Sequence, residues 1–121
     1  ELWQNAWNQF VNNPVLGRGL EEAESNYYPH NVVIESFMAT GIFGGTAFCV
    51  YLIFGMKRGV QLMGHRLTCG WVALLVVQSA VGAMLSGGIW GVSTMWAMLS
   101  AGLALSHRSE EARMKRKNKY I

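Results

Sequence analysis

A chain of 121 residues is long enough for one modest domain. Its residues are 51% hydrophobic and only 14% charged, against about 25% charged in a typical soluble domain, so a water-facing surface would be poorly covered. The formal net charge of +3 is no nucleic-acid signal, because membrane topology and anionic lipid are sufficient to explain the basic residues.

The fourteen glycines lie mostly inside apolar runs. Glycine is costly in a water-exposed helix but frequent in membrane helices, where it lets backbones approach closely. The expected class is therefore an all-α polytopic membrane protein. The chain opens on Glu1 with no basic stretch leading into an apolar one, and is expected to be the tail end of something larger.

The first 31 residues are polar and aromatic. Leu2, Trp3, Ala6, Trp7, Phe10 and Val11 recur at helical spacing and predict a helix with one apolar face. Two Trp and a Phe on that face suit the lipid headgroup region. Pro14 ends the helix, since the residue before a proline resists helical geometry. The "GRG" of residues 17–19 provides a turn, and "EEAESNYY" an acidic loop or short helix.

Residues 32–56 form an apolar run long enough for a membrane span of about 20 residues. A basic loop occupies 57–69. Second and third spans are expected over 70–88 and 89–106, each marginal in length, followed by a solvated basic tail over 107–121. A soluble helical bundle is the alternative, weakened by the lack of amphipathic alternation in the three runs. Small residues in "GIFGG" and between Gly70 and Gly88 favour close helix packing, with Gln78 and Ser79 as candidate interhelical hydrogen bonders. Cys49 and Cys69 read as small packing residues, a disulfide between them being the weaker alternative.

Charge orients the spans. Of the ten Lys and Arg, all but Arg18 lie in the 57–69 loop or the tail. Arg18 shares the first segment with Glu1, Glu21, Glu22 and Glu24. Basic residues near span ends mark the cytoplasmic side. Three spans then put residues 1–31 on the periplasmic or exterior side and the C-terminus in the cytoplasm.

That places His30 at the outer boundary, after Pro29. An imidazole there can serve as a base or hold a substrate hydroxyl near neutral pH, or it is simply an interfacial polar residue. Asn31 is positioned to cap the first span. Glu35 lies one turn inside, on the face of Asn31, where a carboxylate needs a cavity, a partner or the interface. Arg18, between two glycines, can bind a phosphate bidentately or stand as a charge on a turn. Tyr27 and Tyr28 suit either a sugar platform or the aromatic belt. His30, His65 and His107 are far apart, so no metal-ligand spacing is present.

The order of an aromatic helix, "NPVLGRG", an acidic loop, "HNVVIESFMATGIFGG" and a span resembles the C-terminal part of the O-antigen ligase and O-antigen polymerase superfamily of bacterial membrane glycosyltransferases. The matching positions are Pro14, Leu16, Gly17, Gly19, His30, Asn31, Gly41 and Gly44. The resemblance carries its motifs over residues 2–45, and the later spans fit in topology alone.

The resemblance implies a multi-pass protein of the bacterial inner membrane. Its enzymes move a glycan from an undecaprenyl-pyrophosphate carrier to an acceptor hydroxyl, on the lipid A core or on another glycan. It implies that His30 activates or orients that hydroxyl as the catalytic residue. Arg18, Asn31, Glu35 and Tyr28 are the candidate substrate-binding residues. No cofactor or metal is implied. The family's principal arginines lie upstream, so these residues alone are expected to be inactive. The competing readings are a non-catalytic membrane subunit and a transporter fragment with Glu35 in its path.

Overall fold

A computed structural model describes residues 1–24, 26–64, 70–89 and 91–118. His65, Arg66, Cys69 and Lys119, which entered the readings above, lie outside the described residues. Among the described residues four α-helices follow one another: α1 over Leu2–Asn12, α2 over Val32–Gln61, α3 over Gly70–Ser86 and α4 over Ser93–Asn118. A single 3-10 turn, Leu62–Gly64, continues from α2. All regular structure among the described residues is helical.

Helices α2, α3 and α4 pack mutually, and α1 packs on α2. The shared core is built from Val32, Phe48, Leu52, Val76, Ala80, Met95 and Leu99. Trp96 stacks on Tyr51 with ring centroids 5.4 Å apart and meets Phe48 edge-on at 5.6 Å. The hydroxyls of Tyr51 and Ser100 lie 3.0 Å apart and bond α2 to α4. Further along, α2 and α4 approach through glycines: a Cβ added at Gly102 would lie 3.3 Å from the Gly59 Cα. The expected interhelical role of Ser79 is not observed, since its hydroxyl donates to the Val76 carbonyl of its own helix. Gln78 is exposed.

Helix α2 is broken once. Gly41 has φ 66° and ψ −161°, far from helical geometry. In an unbroken helix the Ile42 N–H would donate to the Met38 carbonyl. Here the loop after α1 supplies both partners: Ile42 N–H donates to the Pro14 carbonyl at 2.7 Å, and Met38 O accepts from the Arg18 N–H at 3.0 Å. The two segments run antiparallel across this pair of bonds. Contact is so close that a Cβ on Gly41 would collide with the Val15 carbonyl, and one on Gly17 with the Ala39 carbonyl. Both glycines also have positive φ, which other L-residues adopt at a cost.

Among the described residues, α2 is the one helix long and apolar enough to cross a membrane. Only 28% of its most apolar window is buried within the molecule. Phe43, Val50 and Ile53 are exposed along it. Helix α3 is apolar but has 17 residues, about 25 Å at 1.5 Å per residue. Helix α4 runs without a break from its apolar half into the basic tail, so residues 107–118 are helical, with Arg108, Arg113, Lys115 and Arg116 exposed. Arg58, near the end of α2, pairs with Glu110 of that extension and lies over the Phe54 ring.

The crossing at Gly41 makes a sharp stability contrast. Gly41→Ala and Gly17→Ala should each cost about 2–4 kcal/mol through backbone strain and collision. Gly19→Ala, with nothing within 4 Å of an added Cβ, should leave thermal unfolding in detergent unchanged.

Candidate functional site

Helix α1 ends where proline requires: Asn13, just before Pro14, is its C-cap. The apolar face expected of α1 is divided in the fold. Ala6 and Gln9 are buried against the rest of the protein, and Phe10 meets Phe37 of α2 edge-on at 5.4 Å. Trp3, Trp7 and Val11 stay about half exposed. Gln9 fastens α1 to the acidic loop, donating to the Glu21 carbonyl at 3.2 Å and accepting from the Ala23 N–H at 2.9 Å. The described residues of that loop form a turn and no helix. It is closed by Glu22 N–H to the Tyr27 carbonyl and Asn26 N–H to the Glu22 carbonyl, with Asn26 in the left-handed region that Asn tolerates.

His30 follows this loop. Its side chain is exposed, and its φ of 53° is left-handed, uncommon for a residue other than glycine. Tyr28 is its neighbour, the two ring centroids 4.6 Å apart and tilted by 57°. The preceding carbonyl, of buried Pro29, accepts from the Trp3 indole N–H at 2.7 Å.

Asn31 forms the N-cap that its type and position predict. Its side-chain oxygen accepts from the N–H groups of Val33 and Ile34, both at 3.1 Å. Its amide also donates to the Met84 carbonyl at 3.1 Å. One side chain therefore satisfies backbone groups at the start of α2 and near the end of α3.

Glu35 is fully buried. One carboxylate oxygen accepts from the Ile89 N–H at 2.9 Å, and the other has no partner among the described residues. The Ile89 carbonyl in turn accepts from the Trp96 indole at 3.0 Å. The requirement that Glu35 find a partner is met by the turn between α3 and α4. Asn31 and Glu35 thus share a face, as their spacing requires, but that face looks onto α3 and the turn after it.

Arg18 stands apart from this cluster. It lines a recess of about 140 Å³ together with Asn5, Asn8, Asn12, Glu22 and Glu24. Its position between glycines is not loose, because its backbone N–H is bonded to Met38. The two carboxylates in the same recess would oppose a phosphate there by like-charge repulsion. The structure therefore brings Tyr28 and His30 together, and sets Asn31 and Glu35 to bracing the helix beneath them. No group of three His, Cys, Asp or Glu among the described residues is placed to hold a metal.

The Trp3 and Trp96 indole bonds were not legible beforehand. Their partners lie 26 and 7 residues away and are backbone carbonyls, which carry no side-chain signature. The chain matches no protein-family model, no curated protein and no solved structure.

Asn31→Ala should lower stability by about 0.5–2 kcal/mol through loss of the cap. Glu35→Ala strands the Ile89 N–H and should cost about 1–3 kcal/mol. Glu35→Gln, which keeps an acceptor, should retain most of that stability in the same denaturation assay.

Proposed function

We propose that the chain is the C-terminal part of a membrane glycosyltransferase of the O-antigen ligase or polymerase type. Such an enzyme transfers a glycan from an undecaprenyl-pyrophosphate carrier to an acceptor hydroxyl. The observation that carries the reading is His30. It is an exposed imidazole on a backbone fixed on both sides, at the head of a membrane-length helix. It stands within the motif order that resembles this superfamily.

The chemistry asks little more of this residue. Pyrophosphate is already a good leaving group, so the main needs are an oriented nucleophile and positive charge on the departing phosphates. The acceptor oxygen attacks the anomeric carbon, the bond from that carbon to the pyrophosphate oxygen breaks, and the hydroxyl proton passes to His30. In this reading the phosphate-binding arginines belong to a part of the enzyme outside this chain. Tyr28 is placed to line the acceptor's approach. Asn31 and Glu35 act by bracing the head of α2.

In the same reading α3 and the apolar half of α4 cross the bacterial inner membrane with α2, and lipid covers their outer faces. Support comes from exposed Leu74, Val81 and Leu85 on α3. A surface of this kind in water would be a large apolar patch. Support also comes from charge: Arg58 and the basic part of α4 lie at one end of the bundle, paired through Glu110. His30 and the α3–α4 turn lie at the other, joined through Asn31 to Met84 and Glu35 to Ile89. By the positive-inside rule the His30 end is periplasmic.

His30→Ala in the full-length protein should abolish surface polysaccharide at unchanged protein level. Normal polysaccharide would sink the catalytic role. Reporter fusions at residues 62 and 118 should both report cytoplasm, and a periplasmic signal from either would overturn the orientation.

A further inference from the structure

Trp3 sits in the first turn of α1 and is about half exposed as a residue, yet its indole N–H reaches the Pro29 carbonyl at 2.7 Å. That carbonyl belongs to the peptide plane whose nitrogen is His30's own. Pinning the oxygen fixes the plane, which is one side of the rotation about the His30 N–Cα bond. This rotation lies at φ 53°, a value that persists only where its surroundings determine it. On the other side of His30, Asn31 is fixed by its cap bonds and by Met84. His30 is therefore clamped fore and aft, and its imidazole is set against Tyr28.

The docking of α1 does not depend on this bond. Phe10 against Phe37, Gln9 on the acidic loop, and the loop crossing at Gly41 all hold the segment independently. The indole N–H is thus free to serve a local purpose.

We propose that Trp3 is a positioning residue for His30: its indole N–H holds the Pro29–His30 peptide plane so that the imidazole stands beside Tyr28 in one orientation. The consequence for glycan transfer rests on the reading of His30 as the residue that orients the acceptor hydroxyl. The effect on the imidazole itself does not.

The test is Trp3→Phe in the full-length protein, which removes the N–H and keeps an aromatic ring. With ring-labelled histidine in detergent, the His30 imidazole resonance, identified by its loss in His30→Ala, should be displaced by the Tyr28 ring current. Trp3→Phe should move it toward its position in Tyr28→Leu. Trp3→His, whose ring N–H can occupy the place of the indole N–H, should keep it near its original position and serves if Trp3→Phe does not fold. In cells, Trp3→Phe should lower surface polysaccharide roughly 10- to 100-fold at matched protein level, the scale expected for a misplaced reacting group. Trp3→His, which restores a ring N–H on a smaller ring, should recover most of that polysaccharide, whereas a purely packing role of the indole would leave it lost. An unmoved His30 resonance in folded Trp3→Phe overturns the positioning role, as does normal polysaccharide where His30→Ala abolishes it. A moved resonance together with normal polysaccharide in His30→Ala supports the positioning and sinks the glycosyltransferase reading alone.

Discussion

The structure depends on an exchange of backbone hydrogen bonds at Gly41. A helix in an apolar environment cannot leave a carbonyl or an N–H unsatisfied without a large penalty. The break in α2 separates Met38 O from Ile42 N–H, and the loop between Pro14 and Arg18 supplies a partner for each. The kink and the loop are consequently one unit: each satisfies backbone groups that the other leaves open. Glycine is required at 17 and 41 because two backbones meet there at a distance that excludes a Cβ.

Much follows from that crossing. It lays the first segment along the N-terminal turns of α2 and brings Phe10 onto Phe37. It divides α2 into a mostly covered stretch before Gly41 and a stretch after it, apolar from Ile42 to Met56, that packs on α3 and α4. By fixing α1 it also fixes Trp3, and so the carbonyl in front of His30.

The head of α2 is braced from the opposite side by polar side chains acting on backbone. Asn31 serves two helix ends at once. Glu35 and Trp96 serve the N–H and the carbonyl of the same residue, Ile89. This arrangement accounts for a carboxylate one turn inside an apolar helix without assigning it to substrate. His30 is the member of the cluster left with its side chain in the open.

The sequence by itself determined the elements. Helical spacing placed α1, Pro14 stopped it, Asn31 declared itself as a cap, and the apolar run after it required a long helix. These are local effects, written in residue types a few positions apart. The same local signals drew a single apolar face on α1, extended the third apolar run no further than residue 106, and offered Ser79 a partner on another helix. Tertiary structure decided otherwise in each case. Which face of α1 is covered depends on where the loop crosses α2. The tail stays helical because α4 continues past Arg58 and is held there by Glu110. The long-range contacts that hold His30's flanks, from Trp3 to the Pro29 carbonyl and from Asn31 to the Met84 carbonyl, could be decided only by the folded chain, because they end on backbone carbonyls, a group that every residue carries and no sequence distinguishes.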